Sequence, residues 1–300
     1  MPRSLLVYNP AAGQRWRHPA PESVLRALEE RGWSAELLVT EAQDHATRLV
    51  RDHLTSEVEA VWVCGGDGTM GQAAAALVGS DVPLGILPTG TVNVVAAECG
   101  IPNGVGPALD ALTRRPGRRA FAAWRVGERA VMLGLGVGFE ARVMERVSLR
   151  TKRALGFAAI GGRGTLEWAR YDFPPLRVTG EDGRGRAFDL PATQALATLT
   201  RRFAGTHIVA PDADPEDGCI DLLLFSGRSR ARMAGFWLGI QLPGTAHLRI
   251  PGVRTLRARR LRVTSPDGPV IAHINGDAVE HTPLDAEPWG PVQLLVPPST

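Results

Sequence analysis

The chain has 300 residues, 44% hydrophobic, with 34 basic against 31 acidic side chains and a net charge of +3. That balance excludes a disordered chain and a strongly basic nucleic-acid binder, and the length suits one large or two modest domains. Lys152 is the one lysine beside 33 arginines, a skew best read as coding bias, and the three scattered cysteines (Cys64, Cys99, Cys219) fit neither a zinc knuckle nor a disulfide framework, which points to a reducing, cytoplasmic setting.

The first third alternates. "LLVY" from Leu5 to Tyr8 reads as a buried strand. "PESVLRALEERG" reads as a helix closed by Gly32, and "WSAELLVT" as a second strand ending at Thr40. A helix over "DHATRLVRDHL" follows, with Asp44 expected as its N-cap. Then come the strand "EAVWVC", the turn "GGDG", the helix "TMGQAAAALVG" and the strand "LGIL". Such repetition implies a parallel sheet covered by helices, with ligands at the carboxyl ends of its strands.

After Thr113 to Arg119 the texture changes. Hairpins are expected near Gly127 and at Asp182-Gly183, and "CIDLLLF", "RLRVTS", "VIAHIN" and "VQLLV" continue the β pattern. Glu140 to Tyr171 reads as helical, as does "SRARMAGFWLGIQL". The expected fold is therefore α/β plus β. A parallel α/β domain over 1–117 is followed by a mostly antiparallel domain over 118–300, a sandwich or flattened barrel, its last strand able to return to the first domain. No stretch approaches the ~20 apolar residues of a membrane span. The apolar run before Asn9-Pro10 is too short for a signal peptide.

No P-loop, HExxH, GxSxG or HRD element is present, and the glycines of "GLGVGF" do not fit GxGxxG. What remains is "GGDGT" at a strand-to-helix junction. Gly65, Gly66 and Gly68 let backbone amides approach a ligand, and Thr69 opens a helix whose positive end favours phosphate. A tight turn without ligand explains one such loop equally well. Two further loops, "YNPAAG" (Tyr8 to Gly13) and "PTGTVN" (Pro88 to Asn93), end the first and fourth strands, and three at one sheet edge favour a phosphate site.

"YNPAAG", "GGDGTM" and "PTGTVNVVAAECGIP", in this order, resemble the diacylglycerol kinase catalytic domain shared by bacterial lipid kinases, sphingosine kinases and ceramide kinases. The NAD kinases share GGDG more distantly. The likeness continues in "GLGVGFEARVM", "APDADPEDGCIDLLLF" and "INGDAVEHTPL", and so covers nearly the whole chain. It implies an N-terminal NAD-kinase-like nucleotide domain, a C-terminal β-sandwich and a reaction cleft between them. Carried over by motif, Asn9, Thr40, Gly65, Gly66, Asp67, Gly68, Thr69, Met70, Gly71, Thr91 and Asn93 would line ATP. Arg15 and Arg17 would reach its terminal phosphates or form a solvated turn. Asp67 would act through Mg²⁺ or phosphate positioning. The family's general base falls at Asp277, with Glu280 as fallback. Mg²⁺ would travel with ATP, and a second, structural Mg²⁺ would sit at Asp214, Asp217 and Cys219, with Asp217 giving its side chain and the others carbonyls.

Three positions depart from the family pattern: Gly71-Gln72 for Asn-Glu, Val94 for Asp, and Asn275 for the first acid of the Asp-Gly-acid motif. The resemblance implies an ATP-dependent kinase acting on a diacylglycerol-like or sphingoid lipid, cytoplasmic and peripheral at the inner face of the membrane. The departures keep a second reading open, a catalytically weak or inactive nucleotide- and lipid-binding homologue. A kinase for a soluble nucleotide such as NAD is a third. "RMAGFWLGIQL" and the arginines from Arg249 to Arg262 fit either membrane contact or, better, a core helix beside a solvated strand.

Overall fold

The computed structural model describes residues 1–13, 18–146, 157–203, 205 and 207–298. They fall into two compact units, Met1–Ala123 with Trp289–Thr300, and Trp124–Pro288.

In the first unit strands and helices alternate: β1 (Arg3–Tyr8), α1 (Pro21–Glu29), β2 (Ser34–Val39), α2 (His45–His53), β3 (Val58–Gly65), α3 (Asp67–Leu77) and β4 (Leu84–Pro88). Two short helices follow, α4 (Val94–Glu98) and α5 (Val105–Thr113), and then β5 (Gly117–Val126). The strands order as β4-β3-β1-β2 and all pair in parallel. Leu5, Leu6, Val7, Val61, Trp62 and Val63 are fully buried, the continuous apolar runs of strands covered on both faces. Register places Tyr8 beside both Val39 and Cys64, and Gly65 beside Pro88, so the four strands end at one edge.

The expected N-cap position of α2 is the observed one, but its chemistry differs. Asp44 holds that position in a left-handed conformation without a side-chain cap bond. The α2 backbone is met instead by α3: the Ala46 N–H donates to Gln72 Oε1 at 3.4 Å, and the Thr47 hydroxyl to the Gln72 carbonyl at 2.8 Å.

The second unit is largely antiparallel. It contains β6 (Arg129–Val131), β7 (Gly134–Val137), α6 (Phe139–Arg146), α7 (Phe157–Arg170), β8 (Leu176–Asp182), β9 (Ala187–Ala192) and β10 (Gln194–Thr198). Then come β11 (Arg202–Phe203), β12 (His207–Ile208), β13 (Ile220–Phe225), α8 (Arg230–Gln241), β14 (Val253–Thr264), β15 (Ile271–Ile274), β16 (Asp277–His281) and the start of β17 (Leu284–Val296), which from Trp289 on belongs to the first unit. The order β16-β15-β7-β10-β13-β14 makes one sheet. β14 pairs with β13 in its first half and, past an irregularity between Ala258 and Arg260, with β8 and β17 in its second. Phe139, Tyr171, Leu223, Phe225, Met233, Phe236 and Ile240 form a buried apolar cluster in this unit. The core reading of α8 therefore holds for Met233, Phe236 and Ile240, while Leu238 and Leu242 stay exposed at 64% and 60%.

Candidate functional site

Asn9, Thr40, Gly66 and Thr89 each follow a strand end at the shared edge of the first unit. Hydrogen bonds lock the loops together. Asn9 N–H donates to the Cys64 carbonyl at 3.0 Å, and Thr40 N–H to the Tyr8 carbonyl at 2.9 Å. The Asn9 amide donates to Thr69 Oγ1 at 2.7 Å. Thr89 and Gly90 both donate N–H to the Gly65 carbonyl, at 3.0 and 3.2 Å.

The glycines are explained first by the loops themselves. A Cβ on Gly90 would lie 2.6 Å from the Gly66 Cα, so two bare backbones meet here. Gly13, at φ +61, presses on the Thr89 carbonyl where no side chain fits. Asn93 adopts a left-handed conformation (φ 55) and closes on Gly90 twice, accepting its N–H at 2.9 Å and donating to its carbonyl at 3.0 Å.

Asp67 has a definite task within this edge. Its Oδ2 accepts the Val94 N–H at 3.0 Å and its Oδ1 the Val95 N–H at 3.1 Å. These are the first two residues of α4, so a side chain from the start of α3 caps another helix. Charge-assisted bonds to backbone amides are strong ones, and they draw the GGDG and PTGTVN loops together. The first turn of α3 presents its backbone amides at the same edge, where the helix dipole favours an anion. Cys64 beneath has its thiol pushed up to about 12 by burial, which removes it as a nucleophile at neutral pH.

Of the remaining expected nucleotide residues, Thr91 is exposed, Thr69 is buried, and Met70 is buried at 1% exposure with its side chain in the core. Met70 and Gly71 could thus reach a ligand only through backbone. Arg15 and Arg17 lie outside the described residues.

In the second unit, Asp277 opens β16 and is half-buried. Asn275, two residues before it, is wholly occupied by the fold. Its Oδ1 accepts the Met132 and Leu133 N–H groups, both at 2.9 Å, and its Nδ2 donates to the Ala130 carbonyl at 2.7 Å. It too is left-handed, at φ 50. Glu280 is 3.2 Å from Arg129 in an ion pair, which weakens it as a fallback base.

In the acidic loop, Asp217 Oδ1 accepts the Cys219 N–H at 2.8 Å while its Oδ2 pairs with Arg257. The Asp214 carbonyl accepts the Asp217 N–H at 3.3 Å. The oxygen donors suit a hard cation, but one seated on Asp217 must compete with the Arg257 guanidinium. No group of three His, Cys, Asp or Glu side chains poised for a metal occurs among the described residues. Nearby Asp221 has its carboxyl pushed up to about 6, chiefly by burial and then by Asp212.

Residues 3–123 match the family model of the diacylglycerol kinase catalytic domain. Residues 134–296 match that of the YegS C-terminal domain, described as NAD kinase beta sandwich-like. The chain belongs to the diacylglycerol kinase family. A diacylglycerol kinase of Mycobacterium tuberculosis (strain H37Rv) is 28% identical over 93% of this chain and 89% of its own length. A Klebsiella pneumoniae protein named "Probable lipid kinase YegS-like" is 30% identical over 75% of each chain. The crystal structure of a diacylglycerol kinase from Bacillus anthracis shares the fold, with a TM-score of 0.73 at 18% identity over 99% of this chain and 98% of that one. The two-domain architecture, α/β followed by a β-sandwich type, is that of the family.

The three departures gain a physical reading inside this family frame. Gln72 meets the start of α2, and buried Val94 offers its N–H to Asp67. Asn275 makes a donation to Ala130 that an ionised aspartate could not make. Each sits in a structural role. Two polar residues that the motifs concealed, Glu140 and His273, meet at 3.1 Å with side chains 7% and 4% exposed. Each sits in a quoted motif or strand, but nothing local in the sequence couples them.

Proposed function

We propose that the chain transfers the γ-phosphate of ATP to a hydroxyl of a diacylglycerol-like or sphingoid lipid. One observation carries this reading beyond family membership: the loops after β1, β3 and β4 are bonded into one edge at the amino end of α3, a setting suited to phosphate. Backbone amides of Gly65 to Gly71, with Asn9, Thr40, Thr91 and Asn93, would hold the nucleotide. Asp67 would serve by keeping the loops in place.

Asp277 is the proposed general base. The lipid oxygen forms a bond to the γ-phosphorus while its proton passes to the Asp277 carboxylate. The bond from that phosphorus to the bridging oxygen breaks, and ADP leaves. Mg²⁺ accompanying ATP would supply charge neutralisation. A further Mg²⁺ at Asp214, Asp217 and Cys219 would be structural. We place the protein in the cytoplasm, touching the inner membrane face through the exposed Leu238 of α8 and Leu242 just after it. No helix among the described residues is long and apolar enough to cross a membrane.

The test is incubation with γ-labelled ATP, Mg²⁺ and pooled lipids, followed by solvent extraction and mass identification of the product. Label in the lipid phase is expected. ATP binding by calorimetry with no labelled lipid would favour the inactive-homologue reading, and label on NAD the soluble-nucleotide one.

A further inference from the structure

The turn that carries Asp277 is tied from within by a buried pair. The Gly276 N–H donates to His273 Nδ1 at 3.4 Å. Nδ1 therefore presents a lone pair, and the ring's proton belongs on Nε2. Nε2 lies 3.1 Å from Glu140 Oε1, with both side chains less than a tenth exposed. Neither the Glu140 oxygens nor His273 Nε2 has a hydrogen-bond partner of good geometry among the described residues, so the two side chains face each other at ion-pair distance without a formed hydrogen bond.

The surroundings are built around the pair. Glu140 lies in the first turn of α6, where the helix dipole favours its charge. β15, which carries His273, pairs with β7 through His273 and Gly136. A side chain at Gly136 would strike both His273 Nε2 and Glu140 Oε2. A buried carboxylate is costly without a partner, and a buried pair is weak evidence of stability, so its retention asks for another reason.

We propose that Glu140 and His273 position the Asn275-Gly276-Asp277 turn. The Glu140 carboxylate, facing Nε2 at ion-pair distance, favours the ring's proton on that nitrogen, His273 Nδ1 then holds the Gly276 N–H, and the adjacent Asp277 carboxylate is kept in place. The role rests on Asp277 as the base only for its effect on rate. The hold on the turn stands independently of that assignment.

The experiment combines histidine ¹⁵N NMR with kinetics on the full chain. In the unmodified protein His273 should carry its proton on Nε2 and none on Nδ1. In His273→Phe the Gly276 amide resonance should shift and its hydrogen exchange should quicken, while His273→Asn, which keeps an acceptor near Nδ1, should restore both. Glu140→Gln, closest to the native shape, should leave the protein folded but mix the His273 tautomers. With 1,2-dioleoylglycerol in mixed micelles, kcat should fall about ten- to hundred-fold in His273→Phe with the KM for ATP unchanged. A proton on Nδ1 in the unmodified protein, or an unmoved Gly276 amide in folded His273→Phe, overturns the proposal. A shifted Gly276 amide with unchanged kcat upholds the positioning and removes Asp277 as base. No turnover by the unmodified protein indicts the kinase reading, with the NMR arm still deciding the positioning.

Discussion

The two acids that the motifs single out, Asp67 and Asp277, sit in different surroundings. Asp67 is surrounded by glycines, yet its carboxylate is spent on the amides of Val94 and Val95. Asp277 follows a single glycine and stands half-buried at a strand start, above an asparagine that makes the structural bonds. Glycine around an acid thus marks close backbone packing. For Asp67 the bonds to Val94 and Val95 give the carboxylate a structural task.

The contrast is most exposed at Asp67. Asp67→Ala should remove two charge-assisted bonds and uncap α4, a cost of about 2–3 kcal/mol. A melting temperature lower by roughly 5 °C or more is expected, together with weaker ATP binding. An unchanged melting curve would dissolve the contrast.

Asn275→Asp sharpens the other side. The substitution turns a donor to the Ala130 carbonyl into an oxygen facing an oxygen, a loss of about 2 kcal/mol at neutral pH. The loss should shrink in acid, where a protonated carboxyl can donate again. Chemical denaturation at pH 7 and pH 4 reads both. Equal losses at the two values would show that the missing donor is not the cause.

Asp221 provides a titrating control in the second unit. Its carboxyl is raised to about 6 from an ordinary value near 4, so the folded state holds the proton more tightly than the unfolded chain does. The sign follows: stability contributed by the protonated form is full below about pH 4 and is lost as pH rises through about 6. Asp221→Asn should therefore stabilise the protein at pH 7 by about 1 kcal/mol, allowing for its partial exposure, with the gain gone near pH 4. The same gain at both values would refute the burial account.

The smallest effect concerns the acidic loop. Arg257→Ala releases Asp217 from its ion pair. Millimolar Mg²⁺ should then raise the melting temperature by about 1–2 °C more than in the unmodified protein. An identical response in both would remove this loop from cation binding.

Much of the first unit was legible because its signals are local. Apolar strands, alternating helices and small-residue loops announce a parallel sheet and the edge where its strands end. α4 and α5 were not read. α4 has five residues and follows a left-handed Asn93, and its capping acid comes from Asp67, far back in the chain. At α2 the sequence showed the N-cap position, Asp44, but not the bond, which Gln72 of another helix supplies. In the second unit the hairpins at Gly127 and Asp182-Gly183 were legible, as turns are. The partners of Asn275 and the meeting of Glu140 with His273 were not. Those contacts exist only once β7, β10 and β15 lie side by side. Asn275 looked like a lost charge, and its bonds show a donor where an acid could not donate.

In the proposed function the first unit binds the donor and Asp277 removes the proton. Side-by-side calorimetry with ATP and γ-phosphate transfer to lipid, on the unmodified protein and on Asp277→Asn, tests that division most directly. Asp277→Asn should bind ATP as tightly as the unmodified protein and transfer phosphate at least about 100-fold more slowly. Transfer at the unmodified rate by folded Asp277→Asn would contradict it.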